Sequence, residues 1–129
     1  MRILLAGDPQ TGKTSYTKII YVPYIDFIEI NNIQDLNNID NIDFVFLFYD
    51  INTYKNNKSW IDAIKYHFPN LHIILIRSKV DDKFGLVPVK HYTSLIKEYN
   101  PFVLTNIDIS NKTNYQRYKP INFVNQYQF

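Results

Sequence analysis

Residues 2–20 read RILLAGDPQTGKTSYTKII, an apolar run that breaks into a loop with two glycines, a lysine and a threonine. Gly7, Asp8, Pro9, Gln10, Thr11, Gly12, Lys13 and Thr14 match G-x-x-x-x-G-K-[ST], the phosphate-binding loop. Ile3, Leu4, Leu5 and Ala6 read as a short buried strand before it, and residues 14–20 can start a helix, which is the context the motif requires. The residue types follow from the chemistry. Backbone N–H groups of such a loop converge on a phosphate, and a helix start adds partial positive charge. Gly7, Asp8, Gln10 and Thr11 supply loop backbone, and Gly12 allows close approach. Lys13 brings an ammonium to the terminal phosphates, and the Thr14 hydroxyl suits Mg²⁺. The bland alternative is a glycine turn before a helix, with Lys13 solvated and Thr14 near the cap.

The chain has 129 residues, the size of one domain (1–129) with one core. An apolar fraction of 46% with 16% aromatic residues argues for a folded globule. A net charge of +2 with scattered Lys and Arg gives no footprint for nucleic acid. Zero cysteines exclude disulfides, thiolate zinc sites and prenyl or palmitoyl anchors, and Arg2 excludes N-myristoylation. The opening apolar stretch is too short for a secretory signal, and nothing approaches a membrane span. A soluble, cytoplasmic protein without a direct membrane anchor is therefore expected.

Further along, residues 24–30 (YIDFIEI) read as a strand, and 31–43 (NNIQDLNNIDNID) as a polar stretch that is a short helix, a loop or partly disordered. Residues 44–49 (FVFLFY) form a near-continuous apolar run, as in a central strand covered on both faces. Trp60, Ile61, Ile64 and Phe68 recur at helical spacing within 59–68, and Pro69 stops that helix. Residues 71–76 (LHIILI) are another buried strand. Pro88 then opens a helix with Val89, Tyr92, Leu95, Ile96 and Tyr99 on one face. Residues 102–104 are a short last strand, and the tail after Asn114 is helical only in part. This alternation predicts an α/β fold, a mostly parallel sheet of about five strands flanked by helices. Ligands of such sheets lie at the carboxyl ends of the strands, so the loops after the later strands should complete the site.

The loop after the 71–76 strand is RSKVDD, residues 77–82. Ser78, Lys79, Val80 and Asp81 fit the guanine-reading pattern [NT]-K-x-D except at the first position. A carboxylate at Asp81 can accept from guanine N1–H and the 2-amino group, and the Lys79 stem can lie along the base. Taken alone, the tetrapeptide reads first as a polar surface turn. The next loop holds Ile109, Ser110, Asn111, Lys112, Thr113 and Asn114.

With these three motifs in order, the chain resembles a small GTPase of the Ras superfamily over nearly its whole length. ISNKTN is similar to that family's SAK-containing loop, with Asn111 in place of alanine. YDIN at residues 49–52 with Trp60 resembles its fourth strand and following helix. The resemblance implies a phosphate-loop fold binding GTP or GDP with Mg²⁺, and an effector protein as partner. Lys13 and Thr14 would hold phosphates and metal, Ser78, Lys79 and Asp81 the base, and Ser110, Asn111 and Lys112 its O6 edge.

The pattern breaks between Lys13 and Phe44, a step of 31 residues and roughly half of what the family's switch region needs. The switch threonine has no counterpart, since Thr17 is too close to the loop, and the DxxG of the second switch is absent. In the nearest match, IEINNIQD, Glu29 stands for the metal-coordinating aspartate and Ile33 for the catalytic glutamine; Gln34, one residue on, is the catalytic candidate. Asp50, ending an apolar strand, rivals Glu29 for the metal. With no arginine obviously aimed at a γ-phosphate, intrinsic hydrolysis is expected to be very slow or absent. Two alternatives stand beside this GTPase reading: a pseudo-GTPase serving as an interaction module through its eleven tyrosines, and a small phosphate-loop nucleoside or nucleotide kinase, for which no arginine-bearing lid is recognisable.

Overall fold

The computed structural model describes residues 1–79 and 87–127. Among these residues, five strands, β1 (Arg2–Ala6), β2 (Asp26–Glu29), β3 (Phe44–Tyr49), β4 (Ile73–Arg77) and β5 (Val103–Asp108), alternate with four α-helices: α1 (Lys13–Ile19), α2 (Asn57–His67), α3 (Val89–Glu98) and α4 (Lys119–Tyr127). The strands form one sheet in the order β2-β1-β3-β4-β5, every pairing parallel. β3 and β4 are buried along their whole length, which is why their sequences are apolar at every position instead of alternating.

Alternate side chains of each strand feed two cores. Ile3, Leu5, Phe46, Phe48, Ile74 and Ile76 pack with Tyr16 of α1 and Ile121 and Val124 of α4. Leu4, Val45, Leu47, Tyr49, Ile73 and Leu75 pack on the other face with Trp60, Ile61 and Ile64 of α2 and Leu95 of α3. Because β1 lies between β2 and β3, successive connections leave it to opposite sides. Its carboxyl end is therefore the topological switch point, where open α/β sheets place their ligands.

The last strand runs past its expected end, the polar stretch takes the short helical form among its expected alternatives, and the tail is helical in part, as expected. The polar stretch after Ile30 holds a 3-10 turn, Ile33–Asn38, tied down by Leu36, which is 1% exposed. The last strand runs on to Asp108 through Thr105 and Asn106. A register shift against β4 between Ile73 and Ile74 lets Val103 and Ile107 bury in opposite cores. α4 carries Pro120 in its first turn, where a missing N–H costs no helical hydrogen bond.

Candidate functional site

The chain leaves β1 at Gly7 with φ +139°, and a Cβ there would lie 2.4 Å from the carbonyl oxygen of Phe48 in β3. Only glycine lets the loop pass so close to the neighbouring strand. Gln10 (φ 65°) and Gly12 (φ 97°) are also left-handed, and the loop curls over the end of the sheet before α1 begins. Lys13 folds back into this curl. Its ammonium donates to the carbonyls of Gly7 (2.8 Å) and Asp8 (2.6 Å) and to Thr11 Oγ1 (3.0 Å), while Thr11 donates to the Asp8 carbonyl at 2.9 Å. Burial pulls the Lys13 pKa down to about 8, against the opposing charges of Glu29, Asp8 and Asp50.

The register pairs Leu5 of β1 with Glu29 of β2, bringing that carboxylate beside the loop. Thr14 Oγ1 donates to Glu29 Oε1 at 2.5 Å. A cleft of about 210 Å³ opens here, lined by Gln10, Gly12, Lys13, Thr14, Glu29 and Lys79. The rival acid, Asp50, is 2% exposed and is not among the residues that line this cleft. Its Oδ1 accepts from the Asn52 N–H (2.9 Å) and Thr53 Oγ1 (3.2 Å), and its Oδ2 pairs with Lys79 Nζ at 2.8 Å.

The later loops reach the loop between β1 and α1 through side chains. Ser78 hooks onto the end of β3, its N–H and hydroxyl both donating to the Tyr49 carbonyl (2.9 and 3.1 Å). Lys79, left-handed at φ 58°, donates to the Gln10 carbonyl at 2.8 Å as well as pairing with Asp50. Asp81 lies outside the described residues. Ser110 and Tyr115 form an antiparallel bridge, and Ser110 Oγ accepts from the Thr113 N–H at 3.2 Å. Asn111 Nδ2 donates to the Gly12 carbonyl at 2.9 Å, and Lys112 is exposed. Lys79, Asn111 and Glu29 thus meet the loop, while Gln34 sits exposed on the 3-10 turn.

Two features had no signal in the sequence. The Asp8 carboxylate accepts from Trp60 Nε1 (2.9 Å) and Asn56 Nδ2 (2.6 Å), partners about fifty positions away with no motif linking them. Arg77 makes two hydrogen bonds to Asp108, from Nε (2.7 Å) and Nη2 (2.6 Å), and its Nη1 donates to the Val87 carbonyl. The hydrogen bonds and charge of Asp108 hold the Arg77 pKa above its usual value, against burial.

Fold and loop together define an α/β protein with a five-stranded parallel sheet, compatible with a phosphate-loop domain. No protein-family model matches the chain, and no curated protein matches it.

Proposed function

We propose that this chain is a guanine-nucleotide-binding, Ras-like domain, shortened in its switch region, with slow or no GTP hydrolysis. The observation that carries the reading is the Thr14 hydroxyl on the Glu29 carboxylate at 2.5 Å, in a small cleft that Lys13 also lines. Hydroxyl and carboxylate are hard oxygen ligands, and Mg²⁺ is ordinarily held by one or two protein groups together with substrate phosphates and water. Thr14 and Glu29 would hold it, and the metal would neutralise charge on the phosphates. A cleft of about 210 Å³ has room for a phosphate chain but not a whole nucleotide. In this reading the base lies farther out, with Lys79 on one side and Ser110, Asn111 and Lys112 on the other, and the Asp81 carboxylate would accept from guanine N1–H and the 2-amino group.

The slow-hydrolysis part follows from what surrounds the loop. Phosphoryl transfer to water depends on positioning and on stabilising charge. Arg77 is committed to Asp108 and Val87, and Gln34 is exposed on its 3-10 turn. Those same features favour a second reading, an interaction module whose nucleotide is structural or absent; Tyr21 and Tyr66, 80% and 83% exposed, would be among its contact residues.

Thermal melts separate the readings. Under the first, Mg²⁺ with GTP or GDP raises the melting temperature, since a ligand at a hundred times its Kd adds about 2.7 kcal/mol. Asp81→Ala should then erase the preference for GTP over ATP while leaving triphosphate binding in place. A melting temperature indifferent to every nucleotide would favour the interaction module.

A further inference from the structure

Asp8 puts an acid inside a loop read here as a cradle for anions. Its backbone carbonyl takes Lys13 and Thr11, but its carboxylate points out of the cradle, toward the start of α2. There Oδ1 accepts from Trp60 Nε1 at 2.9 Å and Oδ2 from Asn56 Nδ2 at 2.6 Å. Trp60 is 2% exposed and part of the core, while Asn56 is exposed. An indole N–H is a donor only, so when buried it needs an acceptor, and Asp8 is that acceptor. Both carboxylate oxygens are therefore engaged by neutral donors anchored at the start of α2.

We propose that Asp8 is a positioning residue: its carboxylate, held by Trp60 and Asn56, fixes the start of the phosphate loop against α2 and makes no contact with the bound phosphate. This deepens the phosphate-binding reading and rests on it. A loop held in its binding shape before the ligand arrives loses less freedom on binding, which appears as affinity. Through Asp8 the core tryptophan acts on the loop without touching what the loop binds.

The test is titration of the full chain with inorganic pyrophosphate and Mg²⁺. Trp60→Phe, which keeps an aromatic ring in the core but removes the N–H, should weaken binding by about tenfold, as should Asp8→Ala. The double variant should lose no more than either single one. Asp8→Asn should recover most of the loss. Its amide oxygen can accept from Trp60, and the Asn56 amide can turn over to accept from the new NH₂. Trp60 is the only tryptophan, so one indole N–H resonance reports the contact. It should move upfield in ligand-free Asp8→Ala. Wild-type affinity in Trp60→Phe, or an indole resonance unmoved by Asp8→Ala, would overturn the inference while leaving the phosphate reading intact. Failure of the wild-type chain to bind pyrophosphate would overturn both.

Discussion

At Gly7, backbone sign and space make the same demand: φ is +139°, and a Cβ would sit 2.4 Å from the Phe48 carbonyl oxygen. Gly7→Ala should therefore destabilise the fold by about 3 kcal/mol, from strain plus overpacking, as read by urea denaturation. Lys13 makes a prediction in pH. Its folded pKa is about 8 against the usual 10.5, so between those values the unfolded chain binds the extra proton. Its contribution to stability should rise as pH climbs from about 8 to 10.5, and Lys13→Met should flatten that rise in metal-free denaturation curves. Phosphate binding runs the other way. An anion favours the charged ammonium, so titration of the wild-type chain near pH 8 in buffers of different ionisation enthalpy should show proton uptake, and a binding heat independent of the buffer would contradict it.

Among the elements, β4 and β5 are joined at their carboxyl ends by Arg77 and Asp108, with Asn106 Nδ2 donating to Asp108 (3.0 Å) and Tyr49 to Asn106 (2.5 Å). Arg77 is 5% exposed, whereas the Asp108 side chain keeps 27% of its surface in water. Asp108→Ala would strand a buried guanidinium and should cost about 2 to 3 kcal/mol, short of the full penalty because of that partial exposure. Arg77→Met with Asp108→Ala together should cost less than the two separately, as a double-mutant cycle would show. This polar network explains why the last strand was the least legible element. A strand continuing through Thr105, Asn106 and Asp108 has no apolar alternation, because Asn106 and Asp108 serve each other, Tyr49 and Arg77 at the strand ends. The five-stranded parallel architecture was legible because β1, β3 and β4 are apolar on both faces and punctuated by Gly7, Asp50 and Ser78. The 3-10 turn at Ile33–Asn38 was not, because it rests on one buried leucine in a run of asparagines.

For the whole molecule, the strand order decides which distant segments can meet. β1 lies between β2 and β3, so the loop after it is reached from one side by Glu29 and from the other by Lys79, with Asn111 arriving from beyond β5. The turn from β1 into α1 through Gly7 and Gly12 was legible, because its motif is local. Glu29 and Asp50 were indistinguishable as strand-end acids; only the pairing of Leu5 with Glu29, and the engagement of Asp50 by its own turn and Lys79, separate them in space. The Asp8 contact with Trp60 depends wholly on tertiary packing. The most direct test of the account is isothermal titration of the nucleotide-stripped chain with GTP, GDP and ATP in Mg²⁺, repeated on Lys13→Ala. The account predicts that GTP and GDP bind, that ATP does not, and that the substitution abolishes binding. Absence of binding by all three nucleotides, or binding undiminished in Lys13→Ala, would contradict it.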